Sequence, residues 1–334
     1  MEKTKKKIGA GRIVLRILGA LLALLLCAAA FFLLVPLTEH TDSTPVPGSA
    51  DWMSRLDDGL PLSAVNLPGT HDSATQYVQL AWFSKCQGKD IGGQLEAGYR
   101  YLDIRLGADG DRLQLMHGFT KCKTSAFGGT LYLDEALAQC YDFLDAHPTE
   151  AVIFAVKQEH GDESVAAFEN LLDAYVQASP AHWLLTDTIP TLGEARGKLV
   201  LMRRYEDEAG LGTAAGIPLL WPNQNGHEDT SLNTVVADNG SYCLWVQDRY
   251  EYDTEDKWAA FVAGIEQNGA EPGDIALHFL STKGTAAYGH PYGFAKELNA
   301  QLLDRELPAG AFIGWIAVDF ASAPLAAHIY ETNF

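Results

Sequence analysis

Short runs of apolar or alternating residues recur along the chain at 64–71, 101–105, 113–117, 151–157, 199–203, 243–247, 275–280 and 312–318. None exceeds eight residues, a length that suits strands rather than helices. Helical periodicity lies between several of them. Asp162 reads as the N-cap of a helix that puts Val165, Phe168, Leu172, Tyr175 and Val176 on one face, and Asp134 as the cap of another with Leu137, Cys140 and Leu144 inward. Eight strands with intervening helices, over about 280 residues, predict an α/β fold of the (β/α)8 TIM-barrel type. Only the polar turn GADGDR joins the second run to the third, too short for a helix, so the barrel is expected to be irregular.

A different pattern precedes the barrel. Residues 17–37 are 21 positions without a charge. At about 1.5 Å per residue they can cross a hydrocarbon layer roughly 30 Å thick. Lys3, Lys5, Lys6, Lys7, Arg12 and Arg16 all stand on the N-terminal side, which places that flank inside and the remainder outside. A cleaved signal peptide is the competing reading, but its apolar region is usually roughly 7–15 residues. The expected organisation is a cytoplasmic flank at 1–16, a transmembrane signal anchor at 17–37, a polar linker at 38–50 and a catalytic barrel at 51–334. That makes a single-pass cell-membrane protein with its catalytic domain extracytoplasmic. Cys27 reads as membrane filler, because Leu26 before it is bulky where a lipoprotein signal needs a small residue.

Charge narrows the function. The whole chain carries −19, and the first sixteen residues carry +5, which leaves −24 for the rest. Such a body repels nucleic acid and anionic bilayers, so any phosphate must meet cations gathered in a cleft. Cys86, Cys122, Cys140 and Cys243 are even in number outside the membrane and permit disulfides in any of three pairings. They lack the C-x-x-C spacing of a zinc knuckle. Cys140, within a helical pattern, also reads as a buried thiol.

In a barrel of this type the site lies at the C-terminal ends of the strands. There the sequence places His71 and Asp72, then Arg105, His117, Lys157, Arg204, Asp248 and Asp319. Ionisable groups recurring at one end of apolar runs imply a shared polar cleft. Alternation puts Tyr101, Asp103 and Arg105 on one side of their strand and Leu102, Ile104 and Leu106 on the other. A lone histidine is more often structural than catalytic, and Lys157, Glu159 and Asp248 read equally well as rim ion pairs. Two histidines and an arginine together, however, suit phosphodiester cleavage without a metal. One histidine takes a proton from a neighbouring hydroxyl, the other gives one to the leaving oxygen, and the guanidinium holds the phosphate.

At these residues the chain resembles the bacterial phosphatidylinositol-specific phospholipases C, the X-domain phosphodiesterases. The resemblance rests on NLPGTHDSAT (66–75), GYRYLDIRL (98–106) and LMHGF (115–119). It extends more loosely through VKQEH around Lys157, RRY at 203–205, VQDRY around Asp248 and VDF around Asp319. It implies that His71 is the general base on an inositol 2-hydroxyl, assisted by Asp319. His117 is then the general acid, supported by Asp72, and Arg105 neutralises the phosphate. Lys157, Arg204 and Asp248 bind inositol hydroxyls, and Tyr250 stacks on the ring. The products implied are diacylglycerol and inositol 1,2-cyclic phosphate. No cofactor is implied: calcium-dependent relatives carry a carboxylate where Arg105 stands, and a guanidinium there repels a divalent cation. Expected partners are an inositol phospholipid and, through the N-terminal helix, a membrane; no nucleic acid is expected, and the chain is expected to be a monomer. Two alternatives remain, an idle inositol- or glycan-binding surface module and a metal-dependent glycerophosphodiester or sphingolipid phosphodiesterase.

Overall fold

The computed structural model describes residues 10–224, 234–267, 269–271, 273–286 and 289–334. Lys3, Lys5, Lys6 and Lys7 of the basic flank lie outside the described residues. The strands are β1 (Leu67–Thr70), β2 (Tyr101–Asp109), β3 (Arg112–His117), β4 (Thr120–Lys121), β5 (Ala151–Gln158), β6 (Trp183–Leu184), β7 (Lys198–Arg203), β8 (Ile217–Pro218), β9 (Val235–Asp238), β10 (Cys243–Gln247), β11 (Ile275–Phe279) and β12 (Trp315–Val318). The helices are α1 (Ala10–Leu34), α2 (Ala81–Ser84), α3 (Ile91–Glu96), α4 (Leu133–Ala146), α5 (Val165–Ala178), α6 (Leu192–Ala195), α7 (Thr254–Glu266), α8 (Pro291–Asp304) and α9 (Ala323–Tyr330).

Parallel pairing runs β7-β5-β2-β1-β12-β11-β10, and the two-residue β8 extends it beyond β7. This is an irregular TIM-like barrel. Between β8 and β10 the ladder is replaced: β9 pairs antiparallel with β10, and the Asn239 side chain bridges to Leu220, accepting its N–H at 2.8 Å and donating to its carbonyl at 3.1 Å. The eighth position is therefore held by β8, not by the run at 113–117. That run is β3, which folds back antiparallel on β2 as a hairpin arm off the barrel path. The reason is chain length: a parallel return needs a crossover of a dozen or more residues, and the turn here has only Gly110 and Asp111.

Two helix starts also differ from the sequence reading. Ser164, not Asp162, caps α5 by accepting the Ala167 N–H, while α4 begins at Leu133 with Tyr132 in the cap position and Asp134 inside the first turn. The inward faces hold, since Leu137, Cys140, Leu144, Phe168, Leu172 and Val176 are buried. All five cysteines are free thiols, Cys140 among the buried ones, so the fold uses no disulfide among the described residues.

The core divides at the sheet. Tyr101 packs inside with Ile153, Val200, Leu277 and Trp315, whereas Leu102, Ile104 and Leu106 pack outward with Leu137, Phe143 and Phe168 of α4 and α5. Each such fully buried side chain contributes about 1.5–3 kcal/mol. Gly69 on β1 must stay small, because a Cβ there would lie 2.7 Å from the Tyr101 ring. Before the barrel, α1 is long and apolar enough to cross a membrane, and the residues that follow it are packed rather than free: Pro36 and Glu39 are buried.

Candidate active site

The strand ends converge on one cavity of about 820 Å³ lined by His71, Arg105, His117, Lys157, Arg204, Asp248, Tyr250 and Asp319. These are eight of the nine residues singled out from the sequence; the ninth, Asp72, is buried beneath them. His71 follows β1 directly. The next residue, Asp72, has φ +44°, a left-handed conformation uncommon outside glycine and tolerated best by Asp and Asn. It is held there by bonds to the next strand, Asp72 N–H to Asp103 Oδ2 at 3.2 Å and Ser73 N–H to the Asp103 carbonyl at 3.0 Å. Phe320, following Asp319, also has positive φ, and its N–H donates to the Cys86 carbonyl at 2.6 Å. Two turns outside the usual region thus flank the first histidine, which marks a place where structure is constrained for function.

Asp72 is the hub. Its Oδ2 lies 2.7 Å from His117 Nδ1 and 3.2 Å from His71 Nε2, and its Oδ1 lies 2.9 Å from Arg105 Nε. His71 Nδ1 meets Asp319 Oδ1 at 2.8 Å. The two imidazole rings stand nearly perpendicular with centroids 6.5 Å apart. Arg105 also donates to Asp103 Oδ2 at 3.0 Å and Glu159 Oε1 at 3.2 Å, and Arg204 to Asp103 Oδ1 at 3.1 Å. Glu159 bonds Lys157 in turn. His117 stands at the tip of the β3 arm, not at the end of a barrel strand, and is carried over the site by the hairpin.

Burial sets the electrostatics. It would depress His71, but the charges of Asp72 and Asp319 outweigh it and hold the imidazole above its ordinary value. Burial would raise Asp72, yet Arg105, His117 and His71 together keep it far below the usual carboxylate range. The same contest lowers Asp103, through Arg105 and Arg204, and brings Glu159 to about 2, through Arg105 and Lys157. Asp319 is raised by burial, with His71 opposing. The Arg105 guanidinium is raised well above its ordinary value against the cost of burial, chiefly by Asp103 and Asp72. It therefore remains a cation.

His71, Asp72 and Asp103 also bring ligand-capable atoms within 4.8 Å of one another. Both carboxylates of that group already face Arg105, whereas Asp319, which groups with His71 and Cys86, does not. The other wall is mainly aromatic: Trp221 lies 3.8 Å beneath the Arg204 guanidinium and donates to Asp248 at 3.1 Å, while the Tyr250 hydroxyl donates to Asn223 at 3.0 Å. Sequence reasoning missed Trp221, Asn223, Cys86 and Gln87. Gln87 is fully buried and donates to the His71 and Val318 carbonyls at 2.7 and 3.0 Å, tying together the strand ends that bear His71 and Asp319. None of these four sits at the end of a periodic run, so no pattern marks them.

Residues 65–205 match the family "Phosphatidylinositol-specific phospholipase C, X domain". This stretch is similar to the X domain of the phosphatidylinositol-specific phospholipases C. Among its relatives, the 1-phosphatidylinositol phosphodiesterase of Staphylococcus aureus is 29% identical over 306 residues, covering 85% of this chain and 92% of that protein. The enzyme of the same name from Listeria monocytogenes is 32% identical over 202 residues, 54% of this chain and 59% of that one. A solved structure of a mutant phosphatidylinositol-specific phospholipase C from Staphylococcus aureus superposes with a TM-score of 0.71 at 25% identity, covering 86% of this chain and 98% of that chain. The phospholipase C match thus extends well past the X domain, through most of the barrel.

Proposed function

We propose that this chain cleaves phosphatidylinositol-type lipids by attack of the inositol 2-hydroxyl on its own phosphodiester, in the membrane from which α1 emerges. The observation that carries this reading is the pair of histidines facing one cavity, His71 against Asp319 and both against Asp72, which joins them to Arg105. His71 removes the 2-hydroxyl proton, with Asp319 orienting the ring through Nδ1. The new oxygen–phosphorus bond forms as the bond to the glycerol oxygen breaks. His117, bonded to Asp72 through Nδ1, delivers a proton from Nε2 to that oxygen, giving diacylglycerol and the 1,2-cyclic phosphate. Arg105 stabilises the charge that develops on the phosphate, a fixed cation in a partly buried site needing no reorganisation. Lys157, Arg204 and Asp248 are assigned to the inositol hydroxyls, with Tyr250 against the ring. Because Arg105 already faces Asp72 and Asp103 and puts a fixed positive charge at the phosphate position, the reaction is expected to run without a metal.

The test is incubation of the full chain in detergent with labelled phosphatidylinositol and excess chelator. Cyclic inositol phosphate as the first product supports the reading. Activity that vanishes in chelator and returns with calcium would transfer the chain to a metal-dependent mechanism, and binding of inositol without any cleavage would make it an idle module.

A further inference from the structure

Where α1 ends, the chain does not leave the barrel. Phe31 and Phe32 pack against Trp82 of α2 with ring centroids 4.9 and 5.4 Å apart, and Phe32 stacks on Phe83 at 5.7 Å. The next residues are latched to the same rim. The buried Lys85 ammonium donates to the Pro36 carbonyl at 2.7 Å and the Glu39 carbonyl at 2.9 Å. The Glu39 carboxylate, 3% exposed, meets His290 Nε2 at 2.6 Å, and the His290 ring stacks flat on Trp82 at 3.8 Å. Thr41 lies so close to Gly88 that a Cβ there would fall 2.1 Å from its hydroxyl. Phe83 of this rim and Pro291, next to His290, line the catalytic cavity.

These contacts fix the mouth of the cavity relative to the anchor. The last turns of a spanning helix lie at the membrane interface, the level that aromatic side chains favour. Trp82 and Phe83, stacked on those turns, lie at that level too, one side chain away from the cavity. A free linker of 13 residues would wander over roughly 20 Å and let the mouth face any direction. The docked one does not. It also answers the charge problem, since a body at −24 gains nothing electrostatically from an anionic lipid surface and must be brought to it by other means.

We infer that residues 36–41 and α2 form a rigid foot that turns the cavity toward the leaflet from which α1 emerges, so that the enzyme takes inositol lipid from its own membrane and not from an apposed one. The inference rests on the proposed function for its substrate and for α1 as a membrane span. The foot is tested with the full chain reconstituted in phosphatidylcholine vesicles containing phosphatidylinositol, mixed with enzyme-free vesicles carrying phosphatidylinositol with a different label. Cleavage in the enzyme's own vesicles should exceed that in the second population by about 100-fold or more, the scale of an intramolecular advantage. In Glu39→Ala/Lys85→Ala, which breaks the latch and keeps the anchor, cleavage of the second population should rise by about 10-fold on the same scale. Turnover of a water-soluble inositol phosphodiester should be unchanged, which separates loss of orientation from loss of chemistry. Equal cleavage of both populations by the unmodified chain, or an unaltered ratio in the variant, overturns the inference. Hydrogen exchange of residues 36–41 and 81–86 in the same vesicles decides it independently of catalysis: slow exchange in the unmodified chain and fast exchange in the variant is expected, and fast exchange in both refutes the foot.

Discussion

The two ends of the cavity are built on opposite plans. At the end formed by β1, β2 and β5, every charged group is locked to another: Asp72 to both histidines and Arg105, Asp103 to Arg105 and Arg204, and Glu159 to Arg105 and Lys157. At the end formed after β8 and β10, among the described residues, Trp221 bonds Asp248 and Tyr250 bonds Asn223 beside the place where β8 and β10 do not pair directly. A prearranged network stabilises charge that appears during reaction, because its dipoles need not move when the charge develops. A loosely bonded aromatic wall accommodates a ring and its hydroxyls. The first end, through the histidines and Arg105, should therefore govern turnover, and the second, with Lys157 and Arg204 at the border, affinity.

The largest effect should come from the histidines. His71→Ala or His117→Ala is expected to lower kcat by ~100- to 10,000-fold with the fold intact by circular dichroism, and the double variant should be little worse than either single one. A single variant with near-normal turnover would show that its histidine is structural. The electrostatics add a sign. His71 acts as a base only when neutral, and Asp72 and Asp319 hold it above its ordinary value of 6.5, so kcat/KM should rise with pH along a limb centred above 6.5. Asp319→Asn removes one of the charges that raise it. The limb should then move to lower pH, and a limb that stays or moves upward would mean that Asp319 does not set the base.

Next in size is Arg105→Lys. The ammonium keeps the charge but cannot serve Asp72, Asp103 and Glu159 as the planar fork does, so one replacement loosens the whole network. A fall in kcat of about 100- to 1,000-fold is expected, the scale of removing one oriented donor at a developing anion. KM should change much less. A change confined to KM would move Arg105 to the binding end and break the division between the two.

The same division explains what the sequence disclosed. Barrel strands are apolar runs that stop abruptly, so a charged residue at the stop is visible without a structure; His71, Lys157, Arg204, Asp248 and Asp319 were legible for that reason. His117 was legible as a residue but misplaced, because β3 has the length and apolarity of a barrel strand and only the shortness of the preceding turn shows that it folds back. The hub role of Asp72 was half legible. The family resemblance paired it with His117, but its contacts with His71 Nε2 and Arg105 arise only where β1 and β2 meet. Trp221 and Asn223 were invisible, since they lie in a loop with no period, and so was β8, two residues long. The linker at 38–50 misled most. Its composition reads as a free spacer, yet Glu39 finds His290 some 250 positions away, a pairing no local pattern encodes.

The smallest expected effect tests the open end alone. Asp248 accepts the Trp221 indole N–H at 3.1 Å, and Trp221 underlies the Arg204 guanidinium at 3.8 Å, so this carboxylate both faces the cavity and steadies its aromatic wall. Asp248→Asn keeps the shape, and the amide oxygen can still accept from Trp221. What it loses is the charge that strengthens hydrogen bonds to inositol hydroxyls, a gain of the order of twofold in bond strength over a neutral acceptor. KM should rise by about 10-fold, equivalent to ~1.4 kcal/mol, with kcat nearly constant. Leu, of similar size but unable to accept, should do worse, because it also strands the indole N–H in a half-buried position. Steady-state kinetics on water-soluble and vesicle substrates gives both constants. Were kcat to fall in Asp248→Asn more than KM rises, the affinity wall and the charge network would be one cooperative unit, coupled through Trp221, Arg204 and Asp103.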